Sequence, residues 1–203
     1  MTHILMPFIP ERACKILNGE ITTDVRKRIP KPPFTVWMYC TKGKPYLAEH
    51  SKEWRKEYPE PRYFLPDKET VAIDKLFGGR KYLNGLVVAK FVVEKDGKIT
   101  FQTFNDGAKN WTYRDENGHN DDLLNKSCLN LFQMHKILKG KDGHALPITA
   151  LEILDKPLQL SDFKHEVDVW VPEFQAFTDE LRPLTKAPQS WCRVIPPKAE
   201  KEK

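Results

Sequence analysis

The sequence contains no long apolar run. Its most apolar stretch, residues 86–93, is interrupted by Lys90 and is far shorter than the roughly 20 residues that a membrane-spanning helix needs. Residues 1–10 carry no basic flank, and Pro7 and Pro10 interrupt their short apolar run, which is not the pattern of a secretory signal. We therefore expect a cytoplasmic protein without a membrane partner.

Cysteine and glycine are also scarce. The four cysteines form no Cys-x-x-Cys pair, and the six histidines contain no His-x-x-x-His spacing, so no metal site is predicted. A disulfide framework is not expected in the cytosol, and the apolar surroundings of Cys14 and Cys40 predict buried free thiols at these two positions. The ten glycines form no glycine-rich phosphate loop, and there is no internal repeat. We expect no cofactor.

The chain does contain enough apolar residues for a folded core. Of its 203 residues, 40% are hydrophobic and 30% are charged, which is too apolar for a disordered chain. We expect one domain over residues 1–195 and a disordered charged tail over residues 196–203. Residues 42–83 contain several prolines and charged turns and are interpreted as an insertion.

Local patterns predict an α+β fold. A helix is expected to begin at Pro10 and end at Asn18-Gly19, because glycine adopts the left-handed cap conformation at little cost. A helical segment is predicted over residues 121–139, a polar loop over residues 105–120 and a turn at Asp96-Gly97. Alternating or continuous apolar residues predict short strands, over residues 3–9, 34–40, 86–93, 99–104, 147–154 and 189–195. Because no βαβ rhythm is present, we expect a small mixed barrel or curved sheet with flanking helices.

Charge is distributed unevenly along the chain. The net charge of +5 includes +4 over residues 1–43 and +4 over residues 181–203, whereas residues 121–180 carry −5. Two basic ends that meet in the fold would form a basic face suited to a polyanion. The alternative is ordinary solvated surface, since +5 is modest for this length.

A polar and basic segment follows the first predicted helix. It would place hydroxyls, a carboxylate and cations together, which suits phosphate contacts and base-edge readout. The alternative is a solvated strand whose basic edge discourages aggregation. The candidate nucleic-acid-binding residues of this segment are Thr22, Thr23, Arg26, Lys27 and Arg28, with Asp24 between them as a candidate catalytic residue.

Aromatic residues on two predicted strands form a second set of candidates. Trp37 and Tyr39 share one strand face, and Gln189 and Trp191 lie on the predicted last strand. Bases stack on aromatic rings whatever their sequence, and a glutamine amide hydrogen-bonds a base edge. The alternative is that the tryptophans belong to the core, which is the commoner position for a tryptophan on a strand.

Three segments of the sequence resemble the ASCH domain family of the PUA-like superfamily, in its phage and bacterial subgroup. In the segment from Pro10 to Arg28, Gly19 and Arg26 match a pattern close to G-x-K-x-x-[E/T]-x-R, Asp24 stands at the acid or threonine position, and Ile21 replaces the lysine. Residues 147–163 and 187–194 resemble a late strand and the closing strand of the same subgroup.

The resemblance implies a small β-barrel with a cleft beside this motif. It also implies RNA or modified-base binding. Some small ASCH proteins are similar to amidohydrolases that use the motif lysine, a threonine and a downstream glutamate. Here Ile21 cannot move protons, and Lys90 stands near the expected acid position with Glu94 close by in sequence. This departure argues against that specific hydrolysis.

The sequence is compatible with three functions. The first is binding of RNA or single-stranded nucleic acid in a basic cleft beside residues 19–28. The second is a small hydrolase or nuclease acting on a modified nucleoside or RNA, with Asp24 as general base. The third is a phage or host protein-interaction module that uses the insertion at residues 42–83.

Overall fold

The computed structural model describes residues 1–42, 84–105, 109–171 and 176–197. The predicted insertion beyond Lys42 and the tail beyond residue 197 lie outside the described residues. The chain divides into two compact units. We call residues 1, 15–35 and 91–151 the first unit, and residues 2–14, 36–90 and 152–203 the second unit.

The described part of the chain is rich in short strands. Its helices are α1 (Pro10–Leu17), α2 (Asp121–Ser127) and α3 (Leu131–Leu138), and residues Leu160–Asp162 form a 3-10 turn. Its strands are β1 (Thr2–Phe8), β2 (Thr23–Arg26), β3 (Phe34–Cys40), β4 (Val87–Val93), β5 (Gly97–Asn105), β6 (Lys109–Arg114), β7 (Gly143–Pro147), β8 (Thr149–Leu158), β9 (Lys164–Val171), β10 (Ala176–Pro183) and β11 (Cys192–Arg193).

These strands form three sheets. One has the order β11-β1-β3-β4-β8, a second has the order β2-β7-β5-β6, and β9 and β10 form an antiparallel two-stranded ribbon. Helices and strands are interspersed along the described residues. The predicted α+β class is confirmed.

Strand β3 is buried over its whole length. Both of its faces are apolar, so exposure of either would leave large side chains in water. In the second unit its residues Trp37 and Tyr39 pack with Leu5, Val87 and other side chains into a hydrophobic cluster.

The first unit has its own core between the second sheet and the helices. Val25, Ile99, Tyr113 and Ala145 come from four strands of this sheet, and α2 and α3 contribute Leu123, Met134 and Leu138. Each of the four strands thus contributes a buried side chain to the helix-facing side, as expected for a sheet that buries one face against helices. The sheet and both helices therefore hold β2, β6 and the turn after α3 in place.

Local details differ from the sequence patterns at several points. Residues 121–139 contain two helices, because Cys128 adopts a left-handed φ of 48° and Asn130 caps α3 through a capping box with Gln133. The expected polar loop contains β6. Strand β5 follows Asp96-Gly97 but pairs with β6 and β7, and the expected last strand shortens to two residues that pair with β1.

Candidate nucleic-acid interface

The segment that follows α1 is held by backbone bonds on both sides. Gly19, at φ 72°, ends the helix, and the backbone amide of Thr22 donates to the carbonyl of Lys126 at the end of α2. The carbonyl of Thr22 accepts a bond from Ile148. Ile21, at the position of the family lysine, is 1% exposed and belongs to the core.

Strand β2 places its polar side chains in different environments. Thr22, just before the strand, is exposed, whereas Thr23 is buried. Asp24 is 1% exposed, and its Oδ2 accepts a hydrogen bond from Nε of Arg26 at 2.6 Å. The arginine compensates the buried charge of the carboxylate, which otherwise would be costly to desolvate. Asp24 and Arg26 therefore form a structural ion pair within this unit.

Two cations after β2 lie close to two cations from another part of the chain. Lys27 and Arg28 share a site with Lys139 and Lys141, which flank the turn between α3 and β7. The pKa of Lys27 is lowered by desolvation and then by the positive charges of Lys141, Lys139 and Arg28. We call these four residues the basic cluster.

The turn after α3 explains this proximity. Strand β2 runs antiparallel to β7 with Arg26 opposite His144, so the residues after Arg26 continue beside the residues before His144. Lys139 and Gly140 both adopt positive φ angles, of 57° and 65°, which reverses the chain between the helix and the strand. The carboxylate of Asp142 accepts a bond from the backbone amide of Phe101.

An aromatic cluster lies next to the same turn. His135 of α3 and Trp111 of β6 have ring centroids 4.2 Å apart and planes 33° apart. The hydroxyl of Tyr113 lies 3.1 Å from Nδ1 of His135 and accepts a bond from the backbone amide of Gly140 at 3.0 Å. Phe101 and Phe132 complete the cluster, with ring centroids 6.4 Å and 5.9 Å from that of Trp111.

The predicted aromatic candidates lie in the second unit. Trp37 is 8% exposed, donates through Nε1 to Nδ1 of His3 at 3.3 Å, and meets Phe163 edge to face at 5.2 Å. Tyr39 is 3% exposed, and burial raises the pKa of its hydroxyl. This packing agrees with the core alternative for Trp37, and Tyr39 is buried in the same hydrophobic cluster. Gln189 is exposed and Trp191 is half-buried.

The structure therefore brings together only part of the expected set. All six candidate residues of the β2 segment lie in the first unit: Thr22 precedes the strand, Thr23, Asp24 and Arg26 belong to it, and Lys27 and Arg28 follow its opposite end. The sequence interpretation missed Lys139, Lys141, Trp111, His135 and Phe132. A Lys-Gly-Lys turn directly after a helix, and Trp111 and Tyr113 at strand spacing, were the available signals.

The described residues offer neither a metal-ligand cluster nor a membrane-spanning helix. Within the described ranges, no group of three or more His, Cys, Asp or Glu side chains is placed to hold a metal ion. Over the same residues, no helix combines the length and apolar character needed to cross a bilayer.

Comparison with known proteins identifies similar solved structures. No family model and no curated protein matches the sequence. The similar structures are ASCH proteins. The crystal structure of ASCH from Zymomonas mobilis is 15% identical, with a TM-score of 0.47 over 96% of this chain and 88% of that chain. Its tyrosine-to-phenylalanine mutant is 14% identical, with a TM-score of 0.47 over 96% of this chain and 91% of that chain.

The serine-to-alanine mutant of the same ASCH protein is similar to the same extent. It is 15% identical, with a TM-score of 0.46 over 96% of this chain and 89% of that chain. These three structures are of an ASCH protein, and ASCH is also the family whose motif residues 19–26 resemble. They assign no role to any residue of this chain, and the phage or bacterial subgroup stays a prediction.

Proposed function

We propose that this protein binds single-stranded nucleic acid, RNA in particular, through the first unit. The phosphates would contact the basic cluster of Lys27, Arg28, Lys139 and Lys141. The observation that carries the proposal is the antiparallel pairing of β2 with β7, which brings Lys27 and Arg28 beside the turn that holds Lys139 and Lys141. Desolvation, and then the positive charges of these three neighbours, lower the pKa of Lys27. An anion bound among the four cations would relieve the repulsion between their charges.

The composition of the surface favours a polynucleotide over a small anion. Four cations from two segments of the chain can contact more than one phosphate of a strand. Aromatic side chains beside the cations give the arrangement typical of proteins that bind single strands. The resemblance of residues 10–28 to the ASCH motif agrees with this function.

The residues of the β2 segment contribute unequally to the proposed phosphate contacts. Arg26 is 17% exposed and engaged with Asp24, so the main phosphate contacts are assigned to Lys27 and Arg28. Thr22 is exposed at the start of the segment and is available for a sugar or phosphate contact. Asp24 as a general base stays a prediction; its 1% exposure and the bond that it accepts from Arg26 favour a structural role.

Binding can be measured by fluorescence anisotropy with a labelled 12-nucleotide RNA, the same DNA strand and the matching duplex. Each contact with a phosphate of a single strand contributes about −0.7 to the slope of log K against log salt concentration. Replacing Lys139 and Lys141 by Ala should therefore make the slope less steep by about 1.4 and weaken binding at low salt.

The matched control is the double variant Lys156→Ala and Lys164→Ala. It removes the same charge from exposed lysines of the second unit and should leave the slope unchanged. If both double variants lost the same affinity, binding would depend on net charge and not on the position of the lysines, and the proposed site would be overturned. Absence of binding by the unmodified protein to all three probes at low salt would overturn the proposed function.

The remaining alternatives have separate tests. Product formation from modified nucleosides or RNA, followed by mass spectrometry, would favour a hydrolase over a binding protein. The protein-interaction module rests on residues 42–83, of which only Lys42 lies within the described residues. It stays a prediction, to be tested by pull-down from cell extract before and after nuclease treatment.

A further inference from the structure

Phe132 is an exposed aromatic residue in the first turn of α3. Its side chain is 78% exposed, although its ring meets Trp111 nearly edge to face, with centroids 5.9 Å apart and planes 88° apart. Trp111 itself is half-buried. Two aromatic rings at a steep angle, one of them open to water, form a corner that can receive a third planar group.

The rings behind this corner are fixed in place. His135 stacks on Trp111, and its Nδ1 lies within hydrogen-bond distance of the Tyr113 hydroxyl. That hydroxyl also accepts a hydrogen bond from the backbone amide of Gly140. These bonds connect helix α3, strand β6 and the turn that follows α3. A ligand that entered the corner would meet side chains already ordered by the fold, which lowers the entropy cost of binding.

Gly140 connects this corner to the basic cluster. A methyl group at its Cα would lie 3.5 Å from Cε1 of His135 and 3.7 Å from Cζ of Phe101, so the turn backbone packs directly on the aromatic cluster. Lys139 and Lys141 are its chain neighbours. The basic cluster therefore adjoins the inner rings, while Phe132 at the start of α3 lies about 10 Å along the helix from Lys139. An unpaired base in the corner and the phosphates of its neighbouring nucleotides would complement the two features together.

We propose that Phe132 and Trp111 form a base-stacking subsite that receives an unpaired base of a single strand, while the basic cluster holds its phosphates. This inference rests on the proposed function and adds to it a preference for single strands. A base within a duplex has both faces stacked on its neighbours and cannot enter the corner. Sequence preference should be weak, because every base offers a π-face.

The test uses the RNA probe with 2-aminopurine at one position, and compares Phe132→Ala with Phe104→Ala. Phe104 is also an exposed phenylalanine, 43% exposed, and strand alternation places it on the opposite face of β5 from Phe101. Loss of one stacked base should weaken binding about 10-fold or more in Phe132→Ala, with little change in Phe104→Ala. Phe132→Trp should keep the affinity of the unmodified protein.

Two further readouts separate stacking from a purely structural effect. Binding should change the 2-aminopurine fluorescence with the unmodified protein but much less with Phe132→Ala. An abasic site at the same position should remove most of the difference in affinity between these two proteins. Circular dichroism should show that Phe132→Ala remains folded, since the side chain is mostly in water.

Several results would overturn the subsite. Equal affinities of Phe132→Ala and the unmodified protein for the RNA, or equal affinity for strand and duplex, would leave phosphate binding standing without it. A concentration-dependent dimer that Phe132→Ala abolishes, with RNA affinity unchanged, would assign the corner to a second copy of the chain. Failure of the unmodified protein to bind RNA at all would instead refute the proposed function.

Discussion

The ion pair between Asp24 and Arg26 allows a structural role to be separated from a catalytic role. Asp24 is 1% exposed and Arg26 is 17% exposed, and the bond between Oδ2 and Nε measures 2.6 Å. Removing one partner of a buried pair leaves the other charge without compensation, which typically costs about 3–5 kcal/mol. Because Arg26 retains some contact with water, we expect Asp24→Ala to cost about 3 kcal/mol, at the lower end of that range.

The conservative variant refines the expectation. Asp24→Asn keeps the shape and one acceptor oxygen but loses the charge. The guanidinium of Arg26 stays charged and can still donate to the amide oxygen, so part of the charge-assisted bond remains and we expect this variant to lose about 1–2 kcal/mol. The same loss should shrink when Arg26 is already replaced by Gln, because the two residues contact each other.

Equilibrium unfolding in urea, followed by circular dichroism, measures these differences. The slope of the unfolding free energy against urea concentration should stay constant, so that a lower midpoint reports lower stability. An Asp24→Ala variant less than 1 kcal/mol below the unmodified protein would refute the structural assignment. Unchanged stability of Asp24→Asn together with loss of a measured hydrolysis would instead support a general base.

Two further predictions concern the two units separately. Gly143→Ala should destabilise the protein by about 1–3 kcal/mol in urea unfolding, because the added methyl would lie 2.4 Å from Cδ2 of Leu138 and 3.0 Å from the carbonyl oxygen of Arg26. The matched control is Gly97→Ala, also at a glycine without positive φ, where the added methyl would meet Cβ of Ala145 at 3.4 Å. Equal losses in the two variants would contradict the steric reason. Burial raises the pKa of the Cys40 thiol to about 12, so at pH 8 only about one molecule in ten thousand carries its thiolate. A thiol reagent should therefore modify half-buried Cys128 in the native protein and reach Cys40 only after urea is added, as read by peptide mass spectrometry, and rapid native labelling of Cys40 would disagree with its burial.

Much of the local structure follows from short-range patterns. Proline at the first position of α1 and glycine after its end set the helix bounds, and the continuous apolar residues of β3 and β4 describe strands buried on both faces. These features depend on neighbouring residues alone. The break at Cys128 was not predicted, because a left-handed cysteine has no distinctive sequence pattern.

Local sequence patterns did not predict which distant strands pair with each other. Strand β5 follows a turn typical of a hairpin, yet its partners are β6 and β7. Strand choice depends on which faces can be buried together over the whole chain, and a local turn signal cannot report that. For the same reason the strand pattern of Trp37 and Tyr39 made them candidates for base stacking, although both lie in a hydrophobic cluster.

The sequence by itself determined the local features of this protein: most of its strands, its first helix, a basic segment after that helix, and a motif that resembles the ASCH family. Only the tertiary structure decided how they combine. Antiparallel pairing of β2 with β7 brings Lys139 and Lys141 to Lys27 and Arg28, and packing of α3 on β6 sets Phe132 beside Trp111. The physical reason is that charge repulsion and ring contacts depend on distance in space, which residue spacing along a chain does not specify.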